Sequence, residues 1–161
     1  MDELVSVVRS LADKLKKQSK TFATAESCTG GWMSKTVTDV GGVSAVFLGG
    51  VVSYANEVKE KLLGVKSETL ASYGAVSEQT AREMALGCVA ATGADYAVAV
   101  TGIAGPTGGT PEKPVGLVFI GAASKDGRVY VEKNLFSGDR NSVRLSTVKK
   151  ALAVLSDFVD K

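Results

Sequence analysis

The sequence predicts a three-layer α/β/α sandwich around a mixed, mostly parallel sheet. Three observations carry this. The runs "DYAVAVTG" (95–102) and "VGLVFIGAAS" (115–124) are continuously apolar, as strands buried on both faces are. Between such runs lie stretches with the apolar period of a helix. The turn Lys125-Asp126-Gly127-Arg128 leads straight into "VYVEKNLF" (129–136), which makes one pair an antiparallel hairpin and the sheet mixed.

The elements follow in order. Over residues 3–18, Leu4, Val8, Leu11 and Leu15 fall on one stripe, with Lys14, Lys16 and Lys17 near the end, where the helix dipole favours cations. "TFATAE" (21–26) is a short strand. A helix is expected from about Gly30 to Thr38, ended near Gly41-Gly42. "SAVFLGGVVSYA" (44–55) is a second strand, with an irregularity expected at Gly49-Gly50. A short helix from about Glu57 closes at Gly64, and Ser67 is expected to cap another, "ETLASYG". Ser77 opens a longer helix to about Thr92 whose inner face carries Ala81, Met84, Ala85, Cys88 and Val89. Ser137 to Arg140 opens the last helix, with Val148, Leu152, Leu155 and Val159 facing inward. No linker or low-complexity tract divides the chain, so residues 1–161 read as one domain.

Composition removes several function classes. Nineteen basic against seventeen acidic residues give a net charge of +2, too balanced for a nucleic-acid-binding face. No apolar run reaches the length of a membrane span, and the N-terminal segment is no signal peptide. Cys28 and Cys88 form no CxxC pair and read as free thiols in a reducing compartment, which points to the cytoplasm. There is no histidine at all. That excludes Ser-His-Asp and Cys-His-Asn catalysis and histidine-ligated zinc, and a hydrolase built here must take its base from Lys, Tyr, Asp or Glu.

Two segments hold candidate chemistry. In "ATAESCTGGWMSK" (23–35), Ser27 stands between a strand and a helix. It reads either as a helix N-cap or as a nucleophile at a helix N-terminus, where free backbone N–H groups can hold an oxyanion. Gly30 and Gly31 let a substrate approach the backbone. Cys28 is the rival nucleophile. In "SYANEVK" (53–59), Tyr54 and Lys59 occupy a strand end and the first turns of a helix. An ordinary lysine is neutral in only about 0.04% of molecules at pH 7, so Lys59 serves as a base only if burial or a cation lowers its pKa toward roughly 7–8. The loop "GIAGPTGGTPEKP" (102–114) follows a buried strand and suits a backbone cradle for phosphate or ribose. "SGDR" (137–140) offers Arg140 to a phosphate, or simply Asp139 as an N-cap beside a solvated arginine.

Taken together, "TAESCTGGW", "GGVVSYANEVKEKLLGV", "GAVSEQTAREMA", "VAVTGIAGPTGGTPEKPVGLVFI" and "FSGDR" resemble the CinA C-terminal domain family, the nicotinamide-nucleotide amidohydrolases. The resemblance runs from about residue 4 to residue 158. It implies a cytoplasmic bacterial α/β enzyme that converts nicotinamide mononucleotide to nicotinic acid mononucleotide and ammonia, with no cofactor and no metal. It implies Ser27, Tyr54 and Lys59 as the catalytic residues. The substrate is then expected against Cys28, Thr29, Gly30 and Gly31, with its 5′-phosphate toward Gly105, Thr107, Gly108, Gly109 and Arg140. A homodimer or higher homo-oligomer is implied as well. Some members carry an additional N-terminal domain, for which this chain has no room, and any activity of that domain is expected to be absent. Two other readings stay open on the sequence. One is a pyridine-nucleotide-binding or regulatory module without turnover; the other is an interaction domain that works beside a separate partner.

Overall fold

The computed structural model describes residues 2–161. Its strands are β1 (Phe22–Glu26), β2 (Phe47–Val52), β3 (Tyr96–Gly102), β4 (Leu117–Ser124) and β5 (Val129–Leu135). Its helices are α1 (Asp2–Gln18), α2 (Trp32–Thr38), α3 (Asn56–Leu63), α4 (Ser67–Tyr73), α5 (Glu78–Thr92) and α6 (Arg140–Val159). The sheet runs β2-β1-β3-β4-β5. β1 is parallel to both β2 and β3, β4 is antiparallel to β3, and β5 reverses again against β4. Only β4 therefore opposes the common strand direction, and the expected mixed, mostly parallel sheet is what forms.

Strand alternation sorts the core into two unlike layers. Phe22, Val98, Val100, Val118 and Ile120 face α1, α2 and α6, where they pack on Leu11, Leu15, Met33, Val148, Leu152 and Leu155. Burying each Val, Leu or Ile there is worth about 1.5–3 kcal/mol. The opposite face is almost all alanine: Ala23, Ala25, Ala97, Ala99 and Ala123 lie under Met84, Ala85, Cys88 and Val89 of α5. Small side chains on both surfaces let the helix sit close to the sheet. The same closeness recurs where α5 meets α3, since a Cβ at Gly87 would stand 1.7 Å from the Leu63 carbonyl oxygen.

Several boundaries differ from the sequence reading, each for a local reason. α2 starts at Trp32 rather than Gly30, because Gly30 (φ 60°) and Gly31 (φ 104°) turn the chain through left-handed conformations before the helix begins. β2 is shorter than 44–55, since Val43–Ala45 form a 3-10 turn and Ser53 leaves the ladder. The expected irregularity is present: Phe22 pairs with Phe47 but Ala23 pairs with Gly49. Ser67 is the first residue of α4, whose cap position is Lys66. Ser77 does cap α5, accepting from the Thr80 amide at 3.1 Å, and Asp139 caps α6, accepting from the Ser142 amide at 2.8 Å. Cys28 and Cys88 are buried free thiols. Among the described residues no helix is long and apolar enough to cross a membrane.

Candidate active site

Three adjacent parallel strands end on the same edge of the sheet, and the candidate residues collect there. β1 stops at Glu26 and delivers Ser27; β2 stops at Val52 and delivers Ser53 and Tyr54; β3 stops at Gly102 and leads to Ala104. This is where open α/β sheets bind ligands. A cavity of about 240 Å³ opens at this edge, lined in part by Ser27, Cys28, Tyr54, Lys59, Thr101 and Arg140.

Lys59, in the first turns of α3, is only 1% exposed. Its Nζ donates to the carbonyl oxygens of Ser53 at 2.8 Å and Tyr54 at 2.9 Å, and lies 2.9 Å from Ser27 Oγ. Burial pushes its pKa down to about 8. At that value roughly one molecule in ten is neutral at pH 7, against about 0.04% for an ordinary lysine. A neutral amine has two N–H bonds and one lone pair. With both carbonyls taking the N–H bonds, the lone pair is left facing Ser27 Oγ, an arrangement that general-base activation of a serine requires.

Ser27 is thus no helix cap. The cap position of α2 is Gly31, and capping is performed by Glu26, whose side chain is fully buried. Its carboxylate accepts from Thr29 Oγ1 (2.6 Å), the amides of Gly31 (3.2 Å), Met33 (2.8 Å) and Ser34 (2.9 Å), and Ser34 Oγ (2.7 Å). The loop that carries Ser27 is folded around this one side chain. Glu26→Ala is expected to cost at least about 3 kcal/mol in urea unfolding, because it strands several buried donors at once. A loss below about 1 kcal/mol would mean that the donors find other partners.

Cys28 is 7% exposed, and burial raises its thiol to about 11. At neutral pH it is a protonated thiol, a poor rival to Ser27. The main chain around it is held by Arg144 of α6, which donates from Nε to the Cys28 carbonyl (3.0 Å) and from Nη2 to the Thr29 carbonyl (2.9 Å). The same guanidinium lies over the Trp32 ring, 5.3 Å from its centroid.

The remaining expected residues divide. Arg140 lines the cavity and is not merely solvated: its Nη1 donates to the Gly105 carbonyl at 2.7 Å, which leaves its other N–H groups free for a ligand. Gly105 is buried beside it, whereas Thr107, Gly108 and Gly109 are exposed and do not line this cavity. Thr29 is fully buried, and the amides of Gly30 and Gly31 are engaged by the Ser27 carbonyl and Glu26. Tyr54 stands at the rim, 63% exposed; the group that reaches Lys59 is its backbone carbonyl. Reading the sequence missed Glu26, Arg144, Ser53 and Thr101. Arg144 had a visible signal, since it lies four residues after Arg140 and so on the same helix face. Among the described residues no group of three or more His, Cys, Asp or Glu could hold a metal ion.

The profile of the CinA C-terminal domain matches residues 5–159. The chain belongs to that family. This CinA C-terminal domain is 48% identical over 153 residues to the nicotinamide-nucleotide amidohydrolase PncC of Escherichia coli K12, covering 95% of the chain and 93% of that protein. A longer protein of Thermoanaerobacter pseudethanolicus is 52% identical over 158 residues; the match takes in 98% of this chain but 37% of that protein's length. Among solved structures, the competence/damage inducible protein CihA of Agrobacterium tumefaciens superposes with a TM-score of 0.95 at 40% identity, over 99% of this chain and 96% of its own.

Proposed function

We propose that this protein hydrolyses the carboxamide of nicotinamide mononucleotide, giving nicotinic acid mononucleotide and ammonia. The observation that carries the reading is the Lys59 Nζ to Ser27 Oγ distance of 2.9 Å, with both residues buried at the edge of one cavity. The name of the PncC relative, of which the chain covers 93%, supplies the substrate class.

The proposed chemistry uses this contact between Lys59 and Ser27. Ser27 Oγ attacks the carboxamide carbon while the Lys59 lone pair takes its proton. The carbonyl oxygen becomes an oxyanion, held by the Cys28 amide; one such donor is worth about 10²–10³ in rate. Protonated Lys59 then gives its proton to the departing ammonia, and Ser27 is left as a nicotinoyl ester. Water attacks that ester, Lys59 takes the water proton, and Ser27 leaves by recovering it. The free N–H groups of Arg140 take the 5′-phosphate, and the Tyr54 hydroxyl at the rim hydrogen-bonds the substrate. This reading carries a bacterial cytoplasmic setting with it.

The direct test is ammonia release from nicotinamide mononucleotide in the presence of a chelator. Steady release supports the reading; none from folded protein would overturn it. The pH dependence follows from the same residue. Lys59 is inactive when protonated, so kcat/KM is expected to rise about tenfold per pH unit below about 8 and to level off above. A profile flat from pH 6 to 9 would remove Lys59 as the base.

A further inference from the structure

We propose that Arg144, though not on the cavity wall, is a positioning residue of this reaction that acts through two peptide units on the oxyanion site. The inference rests on the amidase reading above. Its basis is the path of hydrogen bonds through the loop after β1. Arg144 Nη2 donates to the Thr29 carbonyl at 2.9 Å. In a planar trans peptide the N–H points opposite to the C=O, so this grip turns the Gly30 N–H the other way. That N–H donates to the Ser27 carbonyl at 3.1 Å. By the same rule, the Ser27 carbonyl fixes the direction of the Cys28 N–H, the donor that follows the nucleophile and belongs to a residue lining the cavity. The chain of contacts thus runs from guanidinium to peptide to peptide to oxyanion.

Two further features support a role beyond stapling α6 to the loop. The second grip, from Arg144 Nε to the Cys28 carbonyl at 3.0 Å, clamps the peptide between the first two links. A cation at the head of a chain of hydrogen bonds polarises each member, which makes the last N–H a stronger donor. That gain is largest when full negative charge develops on the substrate oxygen, and small while the substrate is a neutral amide. Arg144 is thereby committed to the transition state rather than to substrate binding. Glu26 holds the N–H groups of Gly31, Met33 and Ser34 from the other side, so the two residues between them fix the loop.

The experiment compares wild type with Arg144→Lys and Arg144→Met. It reads kcat and KM for nicotinamide mononucleotide, and the affinities of two inhibitors. One is the mononucleotide with an aldehyde in place of the carboxamide, which adds Ser27 Oγ to its carbonyl carbon, passes the serine proton to Lys59 and puts an oxyanion in the site. The other is nicotinic acid mononucleotide, which forms no such adduct. Arg144→Met is expected to lose about 10²-fold in kcat with KM within about threefold. Aldehyde affinity should fall in step with kcat, and product affinity should hold. The lysine variant keeps the charge but not the two-point grip, and is expected to recover only part of the loss. Trp32, the only tryptophan, sits under the guanidinium, so its emission and the melting curve report that each variant is folded. Equal kcat in all three proteins would overturn the proposal. So would a parallel loss of aldehyde and product affinity, or a variant that does not fold while Arg144→Lys keeps full activity. If wild type itself neither turns over the substrate nor binds the aldehyde, the amidase reading falls first and takes this proposal with it.

Discussion

Replacing Ser27 by alanine is expected to lower turnover of nicotinamide mononucleotide by at least about 10³-fold while leaving its affinity within a few fold. No neighbouring group can take over. The Cys28 thiol, pushed up to about 11, is ionised in only about one molecule in a thousand at pH 8. Lys59 in the variant keeps its two carbonyl partners and its place. The cavity walls, including Thr101, Gly102, Ala104 and Arg140, are untouched. Ammonia release and calorimetric binding measured on one preparation separate the two effects. A variant that keeps more than a tenth of the rate would remove Ser27 as the nucleophile.

Lys59→Met is expected to abolish activity to the same degree, and its effect on stability should depend on pH. Burial holds the Lys59 pKa at about 8 in the folded protein, against about 10.5 when unfolded. Between these values the unfolded chain binds more protons, so rising pH favours the native state. Wild type should therefore gain stability relative to the methionine variant from pH 7 to pH 10, by up to about 3 kcal/mol. At pH 7 the variant escapes the cost of burying an ammonium, but it leaves the Ser53 and Tyr54 carbonyls without their donor, and the two effects oppose each other. Urea unfolding of both proteins at the two pH values checks this. A stability difference that does not change with pH would mean that Lys59 titrates normally.

The strands, the long helices and the inner face of α5 were readable because they depend on local pattern: Tyr96–Gly102 is apolar throughout, and Ala81, Met84, Ala85, Cys88 and Val89 recur at helical spacing. The start of α2 was misread, since two glycines beside a serine suggest a cap when the true capping group is a carboxylate several residues upstream. Ser27 and Lys59 could be nominated from sequence, but not their contact: 32 positions separate them, and the parallel pairing of β1 with β2 brings them together. The depression of the Lys59 pKa was equally hidden, being a property of burial rather than of residue type. Glycine content alone did not show that Thr107, Gly108 and Gly109 are exposed and off the cavity wall, with Gly109 packed back on Val115 and the Thr110 amide donating to the Lys113 carbonyl.

The alanine face of the sheet has a consequence for how this protein can change over generations. On the α6 side, exchanges among Val, Ile and Leu are nearly volume-conserving and cheap. On the α5 side there is no such latitude, because a single added methyl at Ala23, Ala25, Ala97 or Ala99 lifts a helix seated almost on the backbone. That helix in turn supports α3 through the Gly87–Leu63 contact, and α3 carries Lys59. Drift on the α6 side of the sheet is therefore tolerated where it conserves volume. On the other it is transmitted through α5 and α3 to the gap between Lys59 and Ser27, so residues far from the cavity set a distance inside it.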